Sequence, residues 1–376
     1  MEVEVKGTVT QRKDRRNHRF SCQSRELHPH AGNARRKISK RMSALRSRAS
    51  SLLPGLLFIL YGCIWLAPAQ GQTCLTADDM DAPTQTALVD TAKSFFDLAA
   101  KGDVAGLRQN ATAGLAANFT GIEGAIRDNQ PNFAGIQPSV RFAFLLKTEG
   151  TATIERAEFL CGVFGPSGQT SNSAIFQIPN LSPRNYGVVT LNVTGAKQPC
   201  MVTLVLEQQD AAWKLGGFYV RETQAAGHDG SWFAEQARAF KAKGQLHNAW
   251  FYYLQARILL IPVDFMTVRT TDQLYDEAQS IKPSDLPPTD LVAAGKTYKL
   301  TTMFPLGVGN DLDLVVKHQV ADVSSTVQSY KDNVEVIKAL VAKYPELRNA
   351  FAGVVARAVE PSGRDYGTML MMKDIK

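Results

Sequence analysis

Three histidines are the residues best suited to acid–base or metal chemistry after residue 71. His228, His247 and His318 belong to separate segments, and none has an Asp or Glu at ligand spacing. Segment 228–231 reads His-Asp-Gly-Ser, but the members of a hydrolase triad come from separate segments of a fold. We interpret it as a turn in which Ser231 caps a following helix. Phosphate loops and dinucleotide fingerprints are absent too, so we predict no catalytic residue, no cofactor and no metal site.

Five cysteines bear on redox chemistry: Cys22, Cys63, Cys74, Cys161 and Cys200. None forms a Cys-x-x-Cys pair, so neither a thioredoxin-like nor a zinc site is indicated. Cys161 and Cys200 each follow the apolar alternation of a predicted strand, which points both toward a buried face. We predict a Cys161–Cys200 disulfide; the alternative is two buried free thiols.

An apolar run at 52–69 follows an arginine-rich stretch and ends in small residues, which is typical of an export signal. Starting at Met42 gives a signal peptide of ordinary length over 42–71, and 1–41 is then an over-extended start. Two alternatives remain open. Residues 52–69 could anchor the chain, although about 18 residues is short for a membrane span, or lipid could be attached at Cys63. We expect the protein to be periplasmic or secreted, in the cell envelope of a bacterium.

Charge is distributed unevenly along the chain. Residues 1–71 contain 14 Lys/Arg and 4 Asp/Glu, a net charge of +10, whereas the remaining residues contain 28 and 31, a net charge of −3. The basic residues therefore lie in the part expected to be removed or cytoplasmic. This distribution argues against nucleic acid as a partner of the exported part.

Helical spacing gives way to strand alternation in the first folded unit, 83–222. Leu88, Ala92, Phe95 and Phe96 recur at helical intervals, a second helix starts after 102–103, and a short one is expected at 121–127. The predicted strands are 140–147, 154–163, 174–178, 187–193, 200–207 and 213–221. Helices followed by a meander of strands predict an α+β fold, with the helices packed on a curved antiparallel sheet.

The order of elements, with the closing strand Trp-Lys-Leu-Gly-Gly-Phe-Tyr-Val at 213–220, resembles the nuclear-transport-factor-2-like, cystatin-like cone. The family contains lyases and isomerases as well as binding modules without catalysis. The resemblance implies that any catalytic group would be a carboxylate, His or Tyr inside the cone. Asp128, Tyr186 and Tyr219 are the residues to inspect. Trp213, Phe218 and Tyr219 are expected to belong to the sheet core.

A helical segment is predicted at 228–282. Its helices at 232–243 and 246–262 resemble a single tetratricopeptide-type hairpin, and a further helix is expected near 271–280. One hairpin has no neighbouring copy on which to stack, so we expect it to pack on the adjacent domains. Residues 282–288 are rich in proline and predict a linker.

A small ββαββ unit is predicted at 290–376. Strands at 298–305 and 312–319 precede a long amphipathic helix, and a second hairpin turns near 361–363. The Met-Leu-Met-Met sequence at 369–372 is interpreted as the inner side of the last strand.

Two classes of function follow from these patterns. The first is an exported, non-enzymatic protein that binds a small molecule or an envelope protein through the cone or the hairpin. The alternative is a lyase or isomerase that acts inside the cone.

Overall fold

The computed structural model describes residues 71–162, 164–165 and 168–376, which belong to one compact unit. The α+β class is confirmed. The helices are α1 (Ala82–Lys101), α2 (Val104–Gln109), α3 (Ala113–Ala117), α4 (Thr120–Phe133), α5 (Gly230–Ala242), α6 (Leu246–Leu260), α7 (Arg269–Gln279) and α8 (Thr326–Lys343). The strands are β1 (Gln72–Thr76), β2 (Ser139–Thr148), β3 (Ile154–Cys161), β4 (Phe164–Gly165), β5 (Gly168–Gln169), β6 (Ala174–Leu181), β7 (Asn185–Val193), β8 (Cys200–Gln209), β9 (Ala212–Glu222), β10 (Gln224–Ala225), β11 (His228–Asp229), β12 (Met266–Val268), β13 (Thr289–Ala293), β14 (Lys296–Val308), β15 (Asp311–Gln319), β16 (Gly353–Val359) and β17 (Asp365–Met371).

The first layer of helices, α1–α4, covers one face of an antiparallel sheet with the strand order β1-β2-β7-β8-β9. Helix α1 begins where the Asp81 side chain accepts a hydrogen bond from the Thr84 amide. It ends at Gly102, whose φ of 71° lies in the left-handed region that glycine adopts without strain. Its apolar stripe packs on the sheet as the sequence predicts.

The predicted six-stranded meander divides into two sheets. Strands β3 and β6 leave it and pair with β12 in a separate sheet, order β12-β6-β3. This second sheet packs on the other face of the first one, with Phe144, Phe159 and Phe176 in the core between them. Strands β7 and β8 are consequently buried on both faces. This explains why apolar residues run nearly continuously through the middle of both sequences, without the strict alternation of a half-exposed strand.

Helices α5 and α6 form the predicted antiparallel hairpin. The cap of α5 is Asp229, whose carboxylate accepts from the Trp232 amide at 2.8 Å, and not Ser231 as predicted. The aromatic run of α6, residues 250–253, is buried on all sides of the helix. This agrees with the sequence of α6, which has no polar face.

The C-terminal sheet has the order β13-β14-β15-β16-β17, so it contains one edge strand more than the predicted ββαββ unit. Strands β15 and β16 are parallel and are connected through α8, whereas the other neighbours are antiparallel. The α5–α6 hairpin, α8 and one face of this sheet share a single hydrophobic core.

Among the described residues, none of the helices is both long and apolar enough to cross a membrane. The proposed signal over 42–71, the anchor alternative at 52–69 and Cys63 lie outside the described residues, apart from Gly71.

Candidate functional site

The predicted Cys161–Cys200 disulfide is wrong: Cys161 is bonded to Cys74, at a Cα–Cα distance of 5.1 Å. Cys74 lies on β1, an edge strand that the sequence analysis did not predict. The physical reason is that Cys161 and Cys200 face different cores, on opposite sides of the first sheet. Cys200 remains a buried free thiol, and burial raises its pKa to about 12.

The three residues singled out for catalysis in the cone are not brought together. Asp128 is exposed on α4. Tyr186 donates its hydroxyl proton to the Ser182 carbonyl at 2.8 Å, and burial raises its pKa. Tyr219 is 40 % exposed and its ring contacts Phe265 edge-on.

The space between α1–α4 and the sheet is filled by apolar side chains. They include Leu88, Phe95, Phe96, Ile126, Phe133, Leu204 and Phe218. Cys200 also lies in this core, and its thiol stays protonated because burial raises its pKa. A depression on the outside of the helical layer is lined by Gly102, Val104, Glu123, Ile126, Arg127 and Gln130. Asp128, Tyr186 and Tyr219 are not part of this apolar filling.

His247 connects three segments of the chain. Its Nδ1 lies 2.9 Å from Oε1 of Glu346, and its Nε2 lies 2.9 Å from Oδ1 of Asp285. Both contacts join a nitrogen to a carboxylate oxygen, which only accepts, so both can be hydrogen bonds only if both ring nitrogens carry protons. The Tyr344 hydroxyl donates to Asp285 at 2.7 Å. Burial acts to raise the pKa of Asp285, but the bonds from Tyr344 and His247 outweigh it and lower that pKa.

His318 is 0 % exposed under α8. Its Nε2 lies 2.7 Å from Oδ1 of Asn333, whose amide nitrogen donates to the Tyr366 carbonyl and to Oγ1 of Thr368, each at 3.0 Å. Because the Asn333 oxygen must accept, Nε2 carries a proton, and in the neutral ring Nδ1 then carries none. Nδ1 has no hydrogen-bond partner among the described residues. Burial lowers the His318 pKa, which favours the neutral ring.

Asp332 lies one position before Asn333 on α8 and is fully paired. Its carboxylate accepts from Lys296 Nζ at 2.8 Å, from the Tyr298 hydroxyl at 3.0 Å and from Gln328 Nε2 at 3.1 Å. Burial acts to raise the pKa of Asp332, but these three bonds outweigh it and lower the pKa. A carboxylate held by three donors fixes α8 on the sheet and is a poor general base.

The remaining histidine, His228, is exposed and stacks on Trp232, with the ring centroids 3.6 Å apart. The three histidines therefore stay in separate places, and the described residues contain no group of His, Cys, Asp and Glu that could hold a metal ion.

The face of the C-terminal sheet that points away from α8, here called the outer face, is the least expected feature. Its central row crosses four strands through the registered pairs Phe304–Val315, Val315–Val355 and Val355–Met369. Val315 is 2 % exposed, Phe304 and Val355 are half-buried, and Met369 is 45 % exposed. The interpretation of residues 369–372 as inner is therefore wrong for Met369, because Thr368 and Leu370 take the inner positions.

A buried carboxylate lies in the next row of the outer face, which pairs Leu306 with Asp313, Asp313 with Gly353, and Gly353 with Met371. Asp313 is 0 % exposed, and neither carboxyl oxygen has a side-chain or charged partner among the described residues. Burial raises its pKa and the nearby charge of Asp311 raises it further, whereas a hydrogen bond from the Gly353 backbone acts to lower it. The sequence signal is an aspartate inside the apolar run 312–316.

A scan against protein-family models and searches of curated proteins and of solved structures gave no match to this chain.

Proposed function

We propose that the part of the chain after residue 71 is an exported, non-enzymatic protein that binds a partner through the outer face of the C-terminal sheet. The observation that carries this proposal is the apolar central row of that face, together with the unpaired carboxylate of Asp313 beside it. The row is apolar throughout and its edge is open to water at Met369, which is 45 % exposed, and exposed apolar surface is characteristic of interaction sites. A buried carboxylate without a cationic partner costs stability, so its presence on this face favours a role outside the isolated fold.

An envelope protein is a better candidate partner than a small molecule. The outer face is a sheet surface, whereas small-molecule sites are concave and enclose their ligand. The membrane and nucleic acid are not proposed as partners of the described part.

The Cys74–Cys161 disulfide supports export, because disulfides form and persist in oxidising compartments. Both cysteines follow the proposed cleavage site. We propose a periplasmic or secreted location on this basis and on the apolar run at 52–69.

The resemblance of 83–222 to the nuclear-transport-factor-2-like cone is also kept as a proposal, supported by helices packed on an antiparallel sheet. The separate sheet of β3, β6 and β12 departs from the simple cone. The α5–α6 hairpin supports the tetratricopeptide-like proposal as a single unit that packs on its neighbours. A lyase or isomerase remains only the implication of the resemblance.

Site-specific crosslinking in the cell tests the proposal. A photoreactive amino acid replaces Met369 on the outer face, and in a matched control it replaces Lys338, which is exposed on α8. We expect a discrete crosslinked product from position 369, and none of that size from position 338, in the envelope fraction. The absence of a product specific to position 369 would overturn the proposed binding face.

The protein isolated from the envelope fraction also tests the proposed export. Sequencing the N-terminus of the envelope protein should give a first residue near 71. A chain that keeps Met1 and remains in the cytoplasm would contradict the proposed location.

A further inference from the structure

The outer face carries opposite charges at its two ends. The central apolar row, Phe304–Val315–Val355–Met369, has Asp313 in the row on one side. The row on the other side pairs Thr302 with Lys317 and Lys317 with Arg357. Along β15 alone, the outward residues therefore run from Asp313 through Val315 to Lys317. This order is acidic, apolar and then basic.

Among the described residues, the Asp313 carboxylate at the acidic end has no cationic partner. Both oxygens of Asp313 lack a side-chain or charged partner among the described residues, and the Gly353 backbone donates only a weak hydrogen bond. The carboxylate and the side chain of Met369 both lie beside Gly353, because a Cβ placed on that glycine would be 3.1 Å from Asp313 Oδ1 and from the terminal methyl of Met369. Methionine has a flexible unbranched side chain, so this side of the acid can adapt to a partner.

The basic end has an available cation. Of the described carboxylates, none lies within 4.0 Å of Lys317, whose ammonium group is 5.7 Å from the centroid of the Phe304 ring. Arg357 differs, since Asp365 on the neighbouring strand pairs with it. Lys317 is therefore the group free to engage a carboxylate from outside.

We propose that the outer face pairs with the same face of a second copy of this chain, around a two-fold axis that runs along the central row. Such an axis places each strand antiparallel over its own copy, so that Asp313 lies opposite the partner's Lys317 and the apolar rows cover each other. Stacked sheets lie about 10 Å apart, a gap that an aspartate and a lysine span together. An axis parallel to the strands would instead oppose like charges, which disfavours it.

This inference rests on the proposed function, since it names the partner of the same face. The acidic, apolar and basic order along β15 makes the face complementary to itself in charge, as an isologous interface requires. The pairing supplies Asp313 with a cation and removes the exposed part of Met369 from water.

Sedimentation velocity of the full exported chain, purified with its disulfide intact, tests the proposal from about 1 to about 100 μM, a range that covers moderate dimer affinities. We expect a reversible monomer–dimer equilibrium. Lys317→Glu places like charges opposite each other and should weaken dimerisation about tenfold or more. Lys338→Glu makes the same charge change on the exposed side of α8 and should leave the equilibrium unchanged.

A second pair of variants separates the interface from folding. Met369→Glu adds a charge to the central row at an exposed position, and it should abolish the dimer while the circular dichroism spectrum stays unchanged. Asp313→Asn removes a buried charge, so it should weaken the dimer and raise the thermal midpoint of the monomer. If the role of Asp313 is solely structural, Asp313→Asn changes the thermal midpoint and leaves the dissociation constant of the dimer unchanged.

A chain that is monomeric throughout this range, or a dimer insensitive to both Lys317→Glu and Met369→Glu, would overturn the inference. The crosslinked product from position 369 distinguishes that failure from failure of the proposed function. A product with twice the mass of the chain supports the second copy. A product of another mass overturns it and leaves the binding face in place.

Discussion

Asp332 and Asp313 are both buried carboxylates of the C-terminal unit, yet their surroundings act in opposite directions. Asp332 accepts three hydrogen bonds, and its pKa is lowered. Asp313 has no side-chain donor among the described residues, and burial raises its pKa despite a backbone hydrogen bond from Gly353. Hydrogen bonds to the charged form favour it, whereas desolvation disfavours it. The first residue therefore stabilises the fold at neutral pH, and the second opposes it.

The expected effect of Asp332→Asn is a loss of about 1–3 kcal/mol in the free energy of unfolding at pH 7, because charge-assisted hydrogen bonds are lost. A lowered folded-state pKa means that this contribution is complete above the usual aspartate pKa, and it is lost as the pH falls through the folded value. Urea unfolding of the unmodified chain and of Asp332→Asn, at pH 7 and at about pH 2, measures the free energy of unfolding in both states of the carboxyl group. The difference in this free energy between the two proteins should be smaller at pH 2. An equal difference at both pH values would refute the role of the charge.

At the scale of elements, two connections join segments that are distant in sequence. The Cys74–Cys161 bond joins β1 to β3 across the edge between the two sheets of the first unit. His247 joins α6 to the segments that hold Asp285 and Glu346. Both connections depend on residues that no short sequence pattern links.

Removal of the disulfide by Cys74→Ser with Cys161→Ser should cost about 2–4 kcal/mol, because the bond closes a long loop in the unfolded chain. Cys200→Ala serves as the control, since it leaves the bond intact. Unfolding by denaturant measures the loss, and peptide mapping without reduction identifies the bond directly. A mapped Cys161–Cys200 peptide would contradict the structure.

A double-mutant cycle tests the His247 contacts. His247→Ala and Glu346→Gln should each destabilise the chain, and their coupling energy should be about 1 kcal/mol, because contacting residues are not additive. Arg238→Ala on α5 combined with Glu346→Gln provides the control, since Arg238 pairs with Glu277 and not with Glu346. Additive effects of the His247 and Glu346 changes would rule out the direct contact.

At the scale of the described residues, a strand from the second half of the chain pairs with a sheet of the first unit. Strand β12 follows the α5–α6 hairpin in sequence but pairs with β6 of the first unit. Met266 and Val268 on β12 are buried in the core with Phe176. The hairpin itself packs in the core of the C-terminal sheet. Residues 83–222 therefore depend on a strand from outside that range.

A fragment of residues 71–225 lacks β12 and should be less stable than residues 71–376 by about 3 kcal/mol or more, since burial of Met and Val side chains contributes about 1.5–3 kcal/mol each. Circular dichroism during thermal unfolding compares the two. The point variant Met266→Ala in the longer chain should show part of the same loss. A fragment that unfolds cooperatively at the unchanged midpoint would show that β12 is dispensable.

Much of the local structure could be predicted from the sequence because it depends on near neighbours. The stripe that includes Leu88 and Phe96 identified α1, and alternation identified β7 and β8. Other elements were missed because their local patterns are weak. Strand β1 is short and β12 has three residues, and both are held by pairing with strands far away in sequence.

The sequence by itself determined the α+β class, most helices and strands, and the uneven charge that separates the first 71 residues from the rest. Periodicity shows which side chains share a face, since it follows from the geometry of one helix or strand. Only the tertiary structure decided that Cys161 bonds to Cys74, that the strands divide into two stacked sheets, and that Asp313 is left unpaired on the outer face. These outcomes depend on which distant segments become neighbours, which is set by the packing of the whole chain rather than by the pattern within any one element.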